Sequence, residues 1–140
     1  LTGGPSKMEI ELASDIAAMA QSSVVNLVGK SNLQQLLALL KQADIVLAPD
    51  TGPAHMAVTQ GTAVIGLYAH SNPNRTGPYT CLNYVVEVYQ QHLAKQFGKT
   101  PAQLKWGTRV KGEDLMQDIQ VDSVRTMIDK VITDKNIVLR

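Results

Sequence analysis

The stretch that decides the fold runs from Ala43 to Tyr68 and reads ADIVLAPDTGPAHMAVTQGTAVIGLY. It contains an apolar run over Ile45–Ala48, a turn of Asp, Thr, Gly and Pro, a short segment of helix-forming residues over Ala54–Thr59, and a second apolar run over Ala63–Tyr68. Short apolar runs without alternation are typical of strands buried on both faces of a parallel sheet. The stretch therefore predicts a strand, a helix and a second strand in one parallel sheet.

The turn after the first strand has the composition of a helix start. Pro53 suits the first helical position because its φ is fixed and it has no N–H to satisfy, and either Asp50 or Thr51 can cap the helix. Gly52 lets a partner come close to the backbone. Unpaired N–H groups and the positive end of the helix dipole favour anions at such a start. We predict a phosphate site here, with His55 donating to a phosphate oxygen.

Two helices and a strand are predicted before this stretch. Ser6 and Glu9 have the spacing of a capping box, and apolar residues follow at helical intervals over Lys7–Ala20. The β-branched run Val24–Val28 predicts a strand. The capping spacing recurs from Ser31 in front of a second, leucine-rich helix.

After the central stretch we predict a loop over Ala69–Leu82, a strand over Tyr84–Val88, a helix over Tyr89–Phe97 and a final helix that Asp122 can cap. Helices and strands that alternate with short connections imply right-handed crossovers between parallel strands. The predicted fold class is α/β, with a Rossmann-like, doubly wound parallel sheet.

Composition narrows the class of partner. The chain has 140 residues, enough for one domain with its own core, and a formal net charge of +1 without any dense Lys/Arg run, which argues against a nucleic-acid surface. The single cysteine, Cys81, cannot form an internal disulfide, which fits a reducing compartment. No apolar run approaches the roughly 20 residues of a membrane span. We expect a cytoplasmic protein that binds a small molecule, and peripheral contact with the inner membrane face stays open.

Four short motifs resemble those of one known family. They are Gly3-Gly4-Pro5, Gly29-Lys30-Ser31-x-Leu33, Asp50-Thr51-Gly52-Pro53-x-His55-x-Ala57 and Gly77-Pro78-Tyr79. Together they resemble the family 9 glycosyltransferases, the bacterial ADP-heptose:lipopolysaccharide heptosyltransferases. The likeness covers Thr2–Tyr79, extends more loosely over Met116–Ile132, and leaves Tyr89–Val110 as a variable insertion. It implies one nucleotide-sugar-binding domain over residues 1–140, the C-terminal domain of a GT-B enzyme, without the N-terminal acceptor domain.

The resemblance also implies roles for the matching residues. Asp50, Thr51, Gly52 and His55 would hold the diphosphate and heptose of the donor. Glu9 would bind the ribose hydroxyls, and the backbone of the Lys30–Leu33 corner would line the adenine. With Arg75, whose forked side chain suits an anionic partner, the candidate substrate-binding residues are Gly4, Glu9, Lys30, Ser31, Asp50, Thr51, Gly52, His55 and Arg75.

The mechanism that the resemblance implies is inverting transfer of heptose, or a related sugar, from ADP-heptose to a lipopolysaccharide core acceptor. The general base would be an Asp of the missing N-terminal domain, so we assign no catalytic residue here and expect the chain alone to be inactive. We expect neither a cofactor nor a metal, because the helix dipole, backbone N–H groups, a Thr hydroxyl and His55 can stabilise the leaving diphosphate.

Other interpretations stay open at this point. Asp50 can be only a helix cap, the capping box with Ser6 explains Glu9 without a ligand, and Lys30 and Arg75 can be solvated charges. His70 is a secondary candidate because it lies near the donor loop. The competing functions are half of a nucleotide-sugar isomerase, similar to a UDP-sugar 2-epimerase, and a non-catalytic nucleotide-binding module. The Pro-x-His continuation of the turn favours the transferase.

Overall fold

The computed structural model describes residues 1–138, so that Leu139 and Arg140 lie outside the described part of the chain. The chain divides into two compact units, the first over Leu1–Leu39 and the second from Leu40 onward. The predicted extent of a single donor-binding domain over 1–140 stays a prediction.

The first unit is built on helix α1 (Lys7–Met19), which begins where the sequence predicts. The Ser6 side chain is its N-cap and accepts a hydrogen bond from the Glu9 N–H. The helix ends one residue before the predicted boundary, because the backbone of Ala20 is already extended.

The predicted strand Val24–Val28 is not a regular strand. The segment pairs with the chain start instead: the Leu1 amine donates to Val25 O (2.7 Å), Leu27 N to Leu1 O (2.9 Å) and Gly29 N to Gly3 O (3.1 Å). Both segments run in the same direction. The Val28 N–H is bound by the side chain of Asn26 (3.1 Å). Such a local bond removes a donor that a regular ladder would use.

Helix α2 (Leu33–Gln42) has a capping box one residue later than predicted. Asn32 N donates to Gln35 Oε1 and Gln35 N donates to Asn32 Oδ1, both at 2.9 Å. The predicted cap at Ser31 is therefore wrong. Asn32 and Gln35 have the same spacing as the predicted pair, and Asn is as good an N-cap as Ser.

The second unit contains a parallel three-stranded sheet in the order β1-β2-β3. The strands are β1 (Ile45–Pro49), β2 (Ala63–Tyr68) and β3 (Val85–Glu87). Ile45 lies opposite Ala63, and Gly66 lies opposite Val85. The central strand β2 is almost wholly buried, as its unbroken apolar sequence predicts. The predicted α/β fold class with a parallel sheet is confirmed.

Helices connect and cover these strands. Helix α3 (Gly52–Thr59) packs on β1 and β2, and helix α6 (Val121–Asp134) packs on β2 and β3. Helix α5 (Tyr89–Phe97) has the predicted bounds. Asp122 lies in the first turn of α6 but is not its cap, since the N-cap is Gln120.

The predicted loop Ala69–Leu82 is more ordered than its composition suggests. It contains helix α4 (Pro73–Thr76) and most of a 3₁₀ segment over Tyr79–Tyr84. The Asn72 side chain caps α4 by accepting from Asn74 N, and Pro73 occupies the first turn. Short 3₁₀ turns also form at Pro101–Gln103 and Leu115–Asp118.

Two apolar clusters stabilise the second unit. One contains buried residues of β2 and α3, including Val64, Ile65, Ala54 and Ala57. The other joins α5 to the connector that follows it, through Tyr89, Leu93 and Val110 with Leu104 and Leu115 packed beside them. Over residues 1–138 no helix has both the length and the apolar character to cross a membrane.

Candidate functional site

Asp50 lies between the end of β1 and the start of α3. Its Oδ2 accepts hydrogen bonds from Ser71 Oγ (2.5 Å) and Thr76 Oγ1 (3.0 Å), which follow β2 in the chain. The two donors engage the Asp50 carboxylate, and the N-cap of α3 is Thr51. Of the two caps that the sequence allows, the structure selects Thr51, so the interpretation of Asp50 as only a cap is wrong.

The start of α3 has no side-chain cap. The Thr51 hydroxyl donates back to Pro49 O at 3.3 Å, and the side chains of Thr51 and His55 are exposed. A Cβ placed on Gly52 would have no heavy atom within 4 Å among the described residues, chain neighbours aside, and Gly52 has no positive φ. Neither packing nor backbone conformation within residues 1–138 therefore requires glycine there. Pro53 has no N–H and Ala54 N donates to Thr51 O at 3.2 Å, so that among the first three helical residues the Gly52 N–H is the one open to an anion within the described part of the chain.

A buried tyrosine, Tyr68, is linked to Asp50 through Thr76. Tyr68 Oη donates to Thr76 O at 2.8 Å, and the hydroxyl of the same Thr76 donates to Asp50. Burial, together with the negative charge of Asp50, raises the pKa of Tyr68 from 10.0 to about 12. Tyr68 is therefore neutral at physiological pH and keeps its hydrogen for Thr76.

A cleft of about 150 Å³ lies at the carboxyl ends of β1 and β2. Ligands of open α/β sheets bind at this edge. The cleft is lined by Pro49, Asp50, Leu67, Tyr68, Ala69, His70, Ser71, Arg109 and Met116. Asp50 is a predicted site residue and His70 was a secondary candidate, whereas Ser71, Thr76 and Arg109 were not predicted.

His70 is tied to the connector that carries Arg109. Val110 N donates to His70 O (2.9 Å), and His70 Nδ1 lies 3.3 Å from Val110 O. Because a carbonyl only accepts, Nδ1 carries the hydrogen in this contact, and Nε2 is the ring nitrogen left for a ligand.

Arg75 lies elsewhere in the same unit. It is an exposed residue of α4 and does not line the cleft. Its guanidinium lies against the backbone of Gly107, where an added Cβ would approach Nη1 to 3.3 Å. The structure therefore does not bring Arg75 to Asp50.

The remaining predicted residues belong to the first unit. The Ser6 hydroxyl accepts from Glu9 N (3.3 Å) and donates to Glu9 Oε2 (2.9 Å), so that only the first half of the predicted capping box is formed and the Glu9 carboxylate binds the Ser6 hydroxyl instead of the Ser6 N–H. A Cβ on Gly4 would lie 2.7 Å from Glu9 Oε2, which shows that the carboxylate lies over this glycine. A larger residue at position 4 would require the Glu9 side chain to shift.

Lys30 and Ser31 follow a tight turn at Gly29, whose φ is +70°. The Lys30 ammonium turns back and donates to Asn26 O at 3.1 Å. Ser31 is half-buried and directly precedes the Asn32 cap. The structure thus brings Gly4 and Glu9 together, while the Lys30 side chain has a partner in its own loop.

The family model of glycosyltransferase family 9 (heptosyltransferase) matches residues 1–106, about three quarters of the chain. The chain belongs to glycosyltransferase family 9. The family predicted from the four sequence motifs is therefore confirmed.

Relatives of this family 9 chain are known from several bacteria. It is 49% identical over 127 residues to lipopolysaccharide core heptosyltransferase OpsX of Haemophilus influenzae, covering 91% of the chain and 37% of OpsX. It is 35% identical over 69 residues to lipopolysaccharide heptosyltransferase 3 of Escherichia coli, covering 49% of the chain and 20% of that protein. The chain thus spans little more than a third of the length of OpsX.

A solved structure supports the fold. The crystal structure of a family 9 glycosyl transferase from Veillonella parvula superposes with a TM-score of 0.70, covering 95% of this chain and 36% of that one. At 23% sequence identity the likeness shows that the two share a fold.

Proposed function

We propose that this family 9 chain is the donor-binding domain of an inverting heptosyltransferase. It would bind a nucleoside-diphosphate sugar, ADP-heptose in the first instance, for transfer to a lipopolysaccharide core acceptor. The observation that carries the proposal is the uncapped start of α3, where Thr51, Gly52 and His55 are exposed beside Asp50.

The diphosphate would lie at the start of α3. The Gly52 N–H and the helix dipole attract negative charge there, and the open space beside Gly52 allows a phosphate oxygen to reach the backbone. The Thr51 hydroxyl and the His55 ring supply further donors. These groups stabilise charge without a metal, so we propose neither a metal nor a cofactor.

The nucleoside would bind to residues of the first unit. The exposed Glu9 has its Oε2 bound by Ser6, and ribose hydroxyls would donate to its second oxygen, Oε1. Gly4, Lys30 and Ser31 would supply the surrounding surface. Since Lys30 Nζ is bound to Asn26 O, we assign its backbone, not its charge, to the adenine.

The chemical step would be a direct displacement at the anomeric carbon. An acceptor hydroxyl attacks as a carboxylate of a separate N-terminal acceptor domain takes its proton, and the nucleoside diphosphate leaves. The chain described here would stabilise the charge on the departing phosphate. In other enzymes a single donor of this kind is worth about 2.7–4 kcal/mol in the transition state. We propose a cytoplasmic location, where a nucleotide sugar would be available.

The relatives favour this function over the isomerase alternative. The names of the curated relatives OpsX and lipopolysaccharide heptosyltransferase 3 both describe heptosyltransferases. They do not identify the donor of this chain, which has to be measured.

Calorimetric titration with ADP, UDP, GDP and ADP-heptose tests the proposal. We expect ADP to bind best among the free diphosphates and His55→Ala to weaken ADP binding about tenfold, the value of one charge-assisted hydrogen bond. Thr59→Ala, near the far end of α3, is the matched control and should leave ADP affinity unchanged. No binding of any diphosphate to the folded chain would refute the diphosphate site, and a clear preference for UDP would refute the ADP-heptose assignment.

A further inference from the structure

The cleft beside Asp50 contains both hydrogen-bond donors and acceptors. Both donors to Asp50 bind Oδ2, which leaves Oδ1 as an acceptor among the described residues. His70 Nε2 is a second polar atom available to a ligand, and the Arg109 guanidinium adds up to five N–H donors. Leu67 and Met116 supply an apolar wall. Acceptors, donors and an apolar wall together suit a sugar ring, which has hydroxyl groups at its rim and C–H groups on its faces.

The volume and the charge of the cleft also suit a sugar ring as its ligand. Its volume of about 150 Å³ is well below the roughly 300–1,000 Å³ of pockets that enclose a whole drug-sized ligand, so it takes one ring and not a complete nucleotide sugar. One carboxylate, that of Asp50, and one guanidinium, that of Arg109, line the cleft, so their charges cancel and a neutral group fits better than a phosphate. A phosphate would therefore bind at the α3 start and a neutral, hydroxyl-bearing group in the cleft.

Arg109 has no ion-pair partner in the described part of the chain. Within residues 1–138 no carboxylate oxygen lies within 4.0 Å of its guanidinium. Arg109 also lies beyond residues 1–106, where the family model matches, so that the model assigns it no role.

The backbone on both sides of Arg109 is held by α5 and the segment after β2. Tyr89 Oη donates to Thr108 O (2.8 Å), and Val110 N donates to His70 O (2.9 Å). Gln96 binds both backbone groups of Lys111, at 2.9 Å and 3.0 Å. Three of these four bonds come from α5, in the segment predicted as a variable insertion. These bonds fix the backbone position of Arg109, so that less conformational entropy is lost when its side chain binds a ligand.

We propose that Arg109 is a specificity-determining residue that binds the hydroxyl groups of the transferred sugar in the cleft that it lines together with Asp50 and His70. The Tyr89–Val110 segment serves to hold this arginine at the cleft. The inference rests on the proposed function, since it takes the ligand to be a nucleoside-diphosphate sugar whose diphosphate lies at the start of α3.

The test measures the contribution of the sugar to binding separately from that of the diphosphate. ADP and ADP-heptose are titrated into the wild-type chain and into Arg109→Ala, Arg109→Lys and Lys111→Ala. Lys111 is the matched control, because it is an exposed cation of the same connector that does not line the cleft. For each protein the quantity compared is the ratio of the ADP dissociation constant to the ADP-heptose dissociation constant.

We expect the wild-type chain to bind ADP-heptose more tightly than ADP, and Arg109→Ala to lower this ratio about tenfold while its ADP affinity stays unchanged. Arg109→Lys should recover part of the ratio, and Lys111→Ala should keep all of it. The inference is overturned by a wild-type ratio of one, by an unchanged ratio in Arg109→Ala, or by an equal loss in Lys111→Ala. Failure of the wild-type chain to bind ADP at all would instead refute the proposed function.

Discussion

The hydroxyl of Ser71 donates a 2.5 Å hydrogen bond to Asp50 Oδ2, although the two residues lie 21 positions apart in the chain. Thr76, a further five positions along, donates to the same oxygen. Since parallel strands end at the same edge of a sheet, residues that follow β1 and β2 meet there. The carboxylate that a helix start would normally attract is thus bound by hydroxyl groups of the neighbouring connection.

Substitutions of Thr76 test this relationship through stability. Thr76→Val keeps the shape of the side chain but removes the donor to Asp50, and hydrogen bonds to charged groups are worth about 1.5–3 kcal/mol. We expect the free energy of unfolding in urea to fall by about 1–2 kcal/mol, because Asp50 is only partly buried. Thr76→Ser retains the hydroxyl and should recover most of the loss. Unchanged stability in Thr76→Val would contradict the prediction, and a loss in Thr76→Ser as large as that in Thr76→Val would show that the methyl group contributes as much as the hydrogen bond.

Two glycines of the second unit are expected to respond in opposite ways. Gly52→Ala adds a methyl group in open space, so stability should stay the same or rise by about 0.5–1 kcal/mol, while the methyl group hinders an anion and weakens ADP binding. Gly77→Ala places a Cβ in steric conflict with the backbone oxygen of Pro73 and should lower the free energy of unfolding by about 1–3 kcal/mol. Thermal melts and titration calorimetry of both variants measure this. Normal ADP binding by Gly52→Ala would contradict the placement of the diphosphate.

The raised pKa of Tyr68 predicts a particular loss of stability in alkali. Its pKa is about 12 in the folded state against 10.0 when unperturbed, so the folded state holds this proton more tightly. The resulting stabilisation is complete below pH 10 and is lost as the pH rises through 12. A difference of two pKa units corresponds to roughly 2–3 kcal/mol.

Tyr68→Phe is the comparison for this prediction. It should be less stable than the wild type at pH 7, because the bond to Thr76 O is missing, and the gap should narrow between pH 10 and pH 12. Urea unfolding of both proteins over this range gives the gap directly. A gap that does not change with pH would argue against an elevated Tyr68 pKa.

The start of α2 offers a matched pair of cap variants. Asn32→Ala removes the acceptor for Gln35 N and should lower stability by about 1 kcal/mol. Ser31→Ala should change it by less than about 0.5 kcal/mol. Urea unfolding of the two variants distinguishes the observed cap from the predicted one. A larger loss of stability in Ser31→Ala than in Asn32→Ala would favour the predicted cap at Ser31.

The sequence predicts the parts of the fold that depend on local signals. The apolar runs of β1 and β2, the Ser6 cap of α1 and the proline at the start of α3 each lie within a few residues, and the structure confirms them. The two wrong predictions, a strand over Val24–Val28 and a cap at Ser31, also have local causes. Val24–Val28 is interrupted by Asn26, whose side chain competes for backbone hydrogen bonds, and two overlapping capping spacings made Ser31 and Asn32 hard to distinguish.

The site was less predictable, because its geometry depends on tertiary contacts. Asp50, Thr51, Gly52 and His55 are predicted from one continuous motif, and their role in binding stays a prediction. Ser71 could have been found as well, since it follows β2 at the edge where Asp50 follows β1. The position of Arg109 could not, because it depends on how the Tyr89–Val110 segment folds back to pair with His70.

The hydrogen bonds of Asp50 also bear on the order of events in folding. A peptide that contains only β1 and α3 lacks Ser71 and Thr76, and nothing in it prevents Asp50 from capping its own helix. The open helix start thus requires the chain through α4 to be in place, and contacts of such sequence separation form late compared with helices. ADP added during refolding should therefore bind only after the second unit is complete. It should not bind intermediates that have helices but lack the complete sheet.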